Sequence, residues 1–205
     1  MGLDKLKLID ARATVIKAWW LPFSMLLLAL VLAFGGEATR VALRFDRPGI
    51  LEGDWWRLIS GHFVHLGGAH FALNAAGLGL VWYLVGKSFN GSRWLLIVIA
   101  CLLGMDLGFW FLKPEISWYV GLSGLLHGLL AAGLAEKLRQ PETETFILAA
   151  LLLGKLAFEQ LSGPLPGSEG TAGGPVVVDA HLFGAVSGAL AAILLRIRVQ
   201  PGAPI

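Results

Sequence analysis

Six apolar stretches run from Trp19 to Phe34, Ala69 to Val85, Trp94 to Leu112, Leu122 to Leu138, Phe146 to Leu161 and Val177 to Ile197. A helix crossing the hydrocarbon core takes about 20 apolar residues, so six crossings use about 120. What remains of the 205 residues makes loops and termini, with no room for a large soluble domain. The chain is 56% hydrophobic and 15% charged, with mean hydropathy +0.72, where a soluble domain carries about 25% charge. Its solvent is a bilayer. Glycine and proline mark the helix ends at Gly35-Gly36, Pro48-Gly49, Gly67-Gly68, Lys113-Pro114, Pro141 and the stretch Ser162 to Pro175. The expected fold is an all-α membrane protein, one domain over residues 1–205 with spans near 19–34, 69–85, 94–112, 122–138, 146–161 and 177–197. The single cysteine, Cys101, excludes an intrachain disulfide, so helix packing must hold the bundle. No internal repeat is visible.

The net charge of +2 says little, but its distribution orients the chain. With the N-terminus inside, Lys5, Lys7, Arg12, Lys17, Lys87, Arg93, Lys137, Arg139, Arg196 and Arg198 are cytoplasmic, ten of the sixteen basic residues. Arg40, Arg44, Arg47, Arg57 and Lys113 fall outside, and Lys155 lies within a span. The positive-inside rule then puts both termini in the cytoplasm. The first span also resembles the apolar core of a signal peptide; cleavage would leave five spans and sit poorly with Arg196 and Arg198 inside, so a retained anchor is expected. The first outer loop, Gly35 to Gly61, mixes charges with Val41, Leu43, Phe45, Trp55 and Trp56, a composition suited to the membrane interface.

Polar side chains at membrane depth are costly and face the bundle interior, so function is sought there. Ser123 opens the fourth span between Gly121 and Gly124, with His127 one turn deeper. A helix-opening serine is ordinarily a cap, and Gly124 with Gly128 a packing pattern. In the sixth span His181, Gly184 and Gly188 form one stripe. A helix can approach closely along those glycines and bring the imidazole to a serine. In the second span His70 and Asn74 share a face, with His65 before Gly67-Gly68 on the loop side. Either can donate to a developing oxyanion; either can also just tie helices together. Ser123, His181, His70 and Asn74 all lie in the outer part of helices entered from the same side. A nucleophile, a base and oxyanion donors at one level are the ingredients of acyl transfer. Asp179 points to another face than His181, so no acid orients the base and a Ser-His dyad is expected.

These motifs resemble the rhomboid intramembrane serine proteases over most of the chain. The resemblance rests on Trp56-Arg57, on His65, His70 and Asn74, on Gly121-Leu122-Ser123-Gly124, and on Ala180-His181 through Gly184 to Gly188. It is nearest to rhombosortases, the small bacterial six-span branch, in Leu-Ser-Gly-Leu-Leu-His-Gly around Ser123 and Asp-Ala-His around His181. The resemblance implies a six-transmembrane-helix rhomboid-like bundle in the bacterial inner membrane. Ser123 would attack a peptide carbonyl with His181 as base and then acid; Asn74, His70 and the Ser123 amide would hold the oxyanion. His127 stands where many rhomboids have a tyrosine against the catalytic histidine. Substrates would be membrane-anchored exported proteins ending in Gly-Gly, an apolar helix and a basic tail, with water or an amine resolving the acyl-enzyme. No metal, cofactor or nucleic acid is implied, and the oligomeric state is open.

Other readings fit less well. No His-Glu-x-x-His stretch supports a zinc protease, and Asp106 and Asp179 lack the contexts of aspartyl intramembrane proteases. Asp106 is read as a buried hydrogen-bonding residue, and Lys155 with Glu159, at i, i+4, as a self-neutralising structural pair. A general rhomboid protease acting on other single-span substrates is the first alternative. A catalytically dead client-binding relative ranks lower, since serine and histidine are both present, and a transporter lower still, without inverted repeats.

Overall fold

The computed structural model describes residues 3–197, with side chains from residue 19 to residue 196. Of the residues used to orient the chain, Arg198 lies outside the described residues, as do the side chains of Lys5, Lys7, Arg12 and Lys17. The elements in order are α1 (Leu3–Phe34), α2 (Gly36–Leu43), β1 (Phe45–Asp46), α3 (Arg47–Leu51), α4 (Arg57–Ser60), α5 (Gly68–Val85), α6 (Gly91–Leu107, extended by a π-helical turn, Gly108–Leu112), β2 (Trp118–Tyr119), α7 (Ser123–Lys137), α8 (Thr143–Ser162), α9 (Ser168–Ala172) and α10 (Val178–Ile197).

Among the described residues, four helical segments are long and apolar enough to cross a membrane: Gly68–Ser88, Gly91–Leu112, Thr143–Ser162 and Val178–Arg196. Trp19–Phe34 meets that standard only together with α2, from which it is bent by 118°. The number of such helices is thus four, or five with the bent pair. The expected fourth span is the 15-residue α7. Its last turn carries Glu136 and Lys137, and Glu136 is hydrogen-bonded to Arg139 and Arg196, so the apolar part ends early.

α7 is the hub of the bundle. Gly124, Leu125, Leu126, Gly128, Leu129, Ala131, Ala132, Gly133 and Leu134 are all buried, and α5, α6, α8 and α10 pack around it. In lipid no hydrophobic drive pulls helices together, so close approach by small residues takes its place. A Cβ on Gly184 would run into the carbonyl of Gly124, and one on Gly188 into that of Gly128; a Cβ on Gly124 would meet the Ala180 carbonyl and one on Gly128 that of Gly184. The two backbones therefore touch along a ladder of alternating residues, one turn per step.

The first loop, Gly35 to Gly61, is a folded cap rather than a strand of coil. β1 pairs antiparallel with β2, Phe45 opposite Tyr119 and Asp46 opposite Trp118. Arg57 closes the loop, bonding Asp54 and the carbonyls of Val41 and Arg44. Arg47 reaches the carbonyls of Phe109, Lys113 and Ile116 at the end of α6 and covers Trp110. Leu51, Trp55, Trp56 and Ile59 remain exposed, in line with the composition suited to an interface.

Substitution separates backbone contact from helix propensity. Gly184→Val should lower the thermal midpoint of the detergent-solubilised protein, since overpacking costs about 1–3 kcal/mol. Gly154→Ala on α8, where a Cβ meets nothing, should leave the midpoint unchanged or raise it. Equal midpoints for the two variants would remove close α7–α10 contact from the account.

Candidate active site

The loop sets the entry to α7. Gly121 donates its N–H to the Gly61 carbonyl at 3.1 Å and adopts φ +122°, where a side chain would also strike the His70 ring. Only glycine suits that turn. The chain then enters the helix at Ser123, and Leu122, the N-cap, makes no side-chain cap bond. The Ser123 hydroxyl is thus free of the capping duty such a serine usually has.

Ser123 Oγ lies 3.0 Å from Nε2 of His181. The ladder makes this possible, because Ser123 precedes Gly124 and His181 follows Ala180, the residues whose backbones meet. His181 is 5% exposed, and its ring stacks on His127 with centroids 4.2 Å apart. His127 Nδ1 is 2.7 Å from the carbonyl of Ser123. A carbonyl only accepts, so that nitrogen carries the proton.

Asn74, 5% exposed, and His70 line the cavity that holds Ser123 and His181, a space of about 250 Å³. His70 Nδ1 accepts the Leu66 N–H at 3.3 Å, which leaves Nε2 to carry the proton of the neutral ring. That N–H sits on the Gly121 side of the ring, since Nε2 is among the atoms a Gly121 side chain would meet. Asn74 Nδ2 donates one proton to the His70 carbonyl at 3.1 Å, keeping a second. The Ser123 N–H, in the first turn of α7, has no intrahelical acceptor. His70 and Asn74, the donors expected from the sequence, thus line one cavity with Ser123.

His65 and Gly124 do not line the cavity. His65 packs edge-on against His70 and Phe71, and burial pushes its pKa down to about 4, so the ring is neutral and supports His70. Gly124 is a rung of the ladder. Asp179 faces Lys113 at 3.2 Å and not His181; the hydrogen bond from the ammonium raises the Lys113 pKa. Asp106 bonds His62 at 3.1 Å, the buried hydrogen bonding expected of it.

One expectation needs correction. Lys155 and Glu159 do pair, at 2.6 Å, but the pair is not self-contained. Glu159 Oε2 lies 2.9 Å from His181 Nδ1, so an acid does face His181. The i, i+4 spacing of a lysine and a glutamate offered a complete explanation of both residues and hid the second carboxylate oxygen. His127, Glu159 and His181 also place ligand-type atoms within 4.8 Å of one another. Lys155 Nζ, against Glu159 Oε1 and 3.4 Å from His181 Nδ1, already supplies the positive charge between them.

A larger cavity, about 430 Å³, lies between the first loop and α6 at Trp55, Leu58, Ile99 and Trp110. Asp106 is its only ionisable lining residue, and it holds no nucleophile.

Residues 52–198 match the Rhomboid domain family. The chain is 34% identical over 83 residues to "Rhomboid protease GluP" of Bacillus subtilis (strain 168), a stretch that covers 40% of this chain and 16% of that relative. It is 26% identical over 146 residues to "Putative rhomboid protease YdcA" of the same organism, covering 71% of this chain and 70% of that relative. The match spans more than half of the chain and takes in every residue of the site. Together with its apolar helices it makes this a multi-pass membrane protein, and the chain belongs to the rhomboid family.

Proposed function

We propose that the protein is an intramembrane serine endopeptidase that cuts the C-terminal Gly-Gly and transmembrane tail of exported proteins near the outer face of the bacterial inner membrane. The observation that carries this reading is the 3.0 Å approach of His181 Nε2 to Ser123 Oγ, on two helices locked backbone to backbone. His181 removes the hydroxyl proton as Oγ bonds to the scissile carbonyl carbon, whose oxygen takes up the electron pair. The imidazolium then gives its proton to the leaving amine nitrogen. The N–H groups of Ser123, His70 and Asn74 receive the oxyanion, and water or an amine releases the acyl group.

The Gly-Gly preference rests on the resemblance to rhombosortases and on size. The space over Ser123, about 250 Å³, lies below the about 300–1,000 Å³ of ordinary ligand sites. Leu165, Ala172, Pro175 and Val176 border it, so it suits an extended backbone without bulky side chains. Six crossings follow if Trp19–Phe34 and α7 join the four long helices, with both termini cytoplasmic as the basic residues require.

Ser123→Ala and His181→Ala should abolish cleavage of a Gly-Gly-tailed single-span substrate by the detergent-purified protein while the thermal midpoint is kept. Asn74→Ala should slow turnover by about tenfold to a thousandfold. Cleavage surviving in Ser123→Ala would discard the nucleophile; equal cleavage of substrates with and without the tail would favour a general rhomboid protease.

Topology has its own test. In intact cells a membrane-impermeant maleimide should label Thr171→Cys and not Gln140→Cys, against a background in which Cys101 is buried. The reverse pattern would invert the orientation.

A further inference from the structure

Glu159 is 3% exposed on a helix that crosses the membrane. A carboxylate there is costly unless both oxygens are satisfied. Lys155 on the same helix already neutralises its charge through Oε1. The second oxygen is spent on another helix, α10, and on one particular atom, Nδ1 of His181. An ion pair needed only for its own neutrality has no use for that contact. It has a consequence for the imidazole: an ionised carboxylate only accepts, and at 2.9 Å it lies nearer Nδ1 than the Lys155 ammonium at 3.4 Å, so Nδ1 carries the ring proton and Nε2 presents its lone pair to Ser123 Oγ.

Resting on the proteolytic reading above, we propose that Glu159 is a positioning residue that completes a Ser123–His181–Glu159 triad, with Lys155 as its fixed counter-ion. Glu159 itself gains and loses no proton. It holds the base in the tautomer that accepts the Ser123 proton on Nε2, and it faces the imidazolium that results. The charges balance at both ends of the step. Before attack, the ammonium and the carboxylate cancel and the imidazole is neutral. After attack, the new imidazolium is matched by the oxyanion, while Lys155 and Glu159 still cancel. A lone carboxylate beside a neutral imidazole would leave an uncompensated buried charge in the resting enzyme, and Lys155 removes it.

The test compares the full-length protein with Glu159→Gln, Glu159→Asp and the charge-balanced double variant Lys155→Met with Glu159→Gln. Steady-state cleavage of the tailed substrate is read alongside the thermal midpoint, and nitrogen-15-labelled histidine reports the His181 tautomer. Glu159→Gln and the double variant should lower kcat by about 10²-fold or more, KM staying within about threefold. Glu159→Asp should recover part of kcat. The parent should hold His181 as the Nδ1–H tautomer, and Glu159→Gln should not. A kcat for both neutral variants within about threefold of the parent, or a parent ring protonated on Nε2 alone, overturns the triad. If cleavage depends on Ser123 but not on Glu159, the triad falls and the protease stands. If nothing is cleaved while the tautomer follows Glu159, the protease falls and the positioning stands.

Discussion

The bilayer removes the force that assembles water-soluble cores, since a leucine gains nothing by leaving lipid for another leucine. What remains is contact, and in this chain the tightest contact is between α7 and α10. Ala180, Gly124, Gly184, Gly128 and Gly188 alternate up the crossing, each residue lying against the backbone of the next. One methyl group on any glycine of that series meets a carbonyl of the facing helix. Ser123 and His181 stand at one end of the same crossing, Ser123 beside Gly124 and His181 beside Ala180. The distance between hydroxyl and imidazole is therefore fixed by backbones, which deform less readily than side chains. A site that needs its atoms placed to within a fraction of an ångström gains from that rigidity.

The cap formed by the first loop serves the same geometry from the other direction. A helix start needs a fixed entry, and Gly121 receives one from three sides: β1 pairing with β2, its N–H on Gly61, and the His70 ring against its α-carbon face. Arg47 and Arg57 act on backbone carbonyls at helix ends, Arg47 at the end of α6 and Arg57 at the end of α2. His62, fully buried, ties the cap to Asp106 on α6. The loop's arginines are thus consumed in folding it, while its apolar side chains Leu51, Trp55 and Ile59 are exposed.

Legibility followed physical range. Hydropathy marks an element because every residue in it contributes, and it is enough to mark the four long apolar helices. The stripe of His181, Gly184 and Gly188 was legible because a helix repeats its face at fixed spacing, and the approach of Ser123 to His181 was the consequence expected of it. The partner of Asp106 is His62, far away in sequence and on a different element, so spacing carried no trace of it. Glu159 was concealed differently: Lys155 one turn earlier gave it a sufficient local explanation. The shortness of α7 was hidden because Glu136, Lys137 and Leu138 follow an apolar run, and hydropathy alone does not show that the run ends in a polar contact with α10 through Arg196.

The site therefore draws on two packing interfaces of unequal strength. Ser123 and His181 belong to α7 and α10, whose mutual contact is the most extensive in the bundle, whereas Glu159 and Lys155 ride on α8. α8 leans on α7 and α10 through few buried residues, Thr145, Leu152, Leu156 and Glu159, and leaves Phe146, Leu151, Leu153 and Leu161 exposed. Its polar contact with the site adds to those apolar ones. In the proposed triad the carboxylate is therefore also a clasp, since the 2.9 Å contact that selects the imidazole tautomer joins α8 to α10 as well. Displacing α8 would leave the serine and the histidine in place and take the acid away, so the arrangement of three groups exists only while that helix is docked.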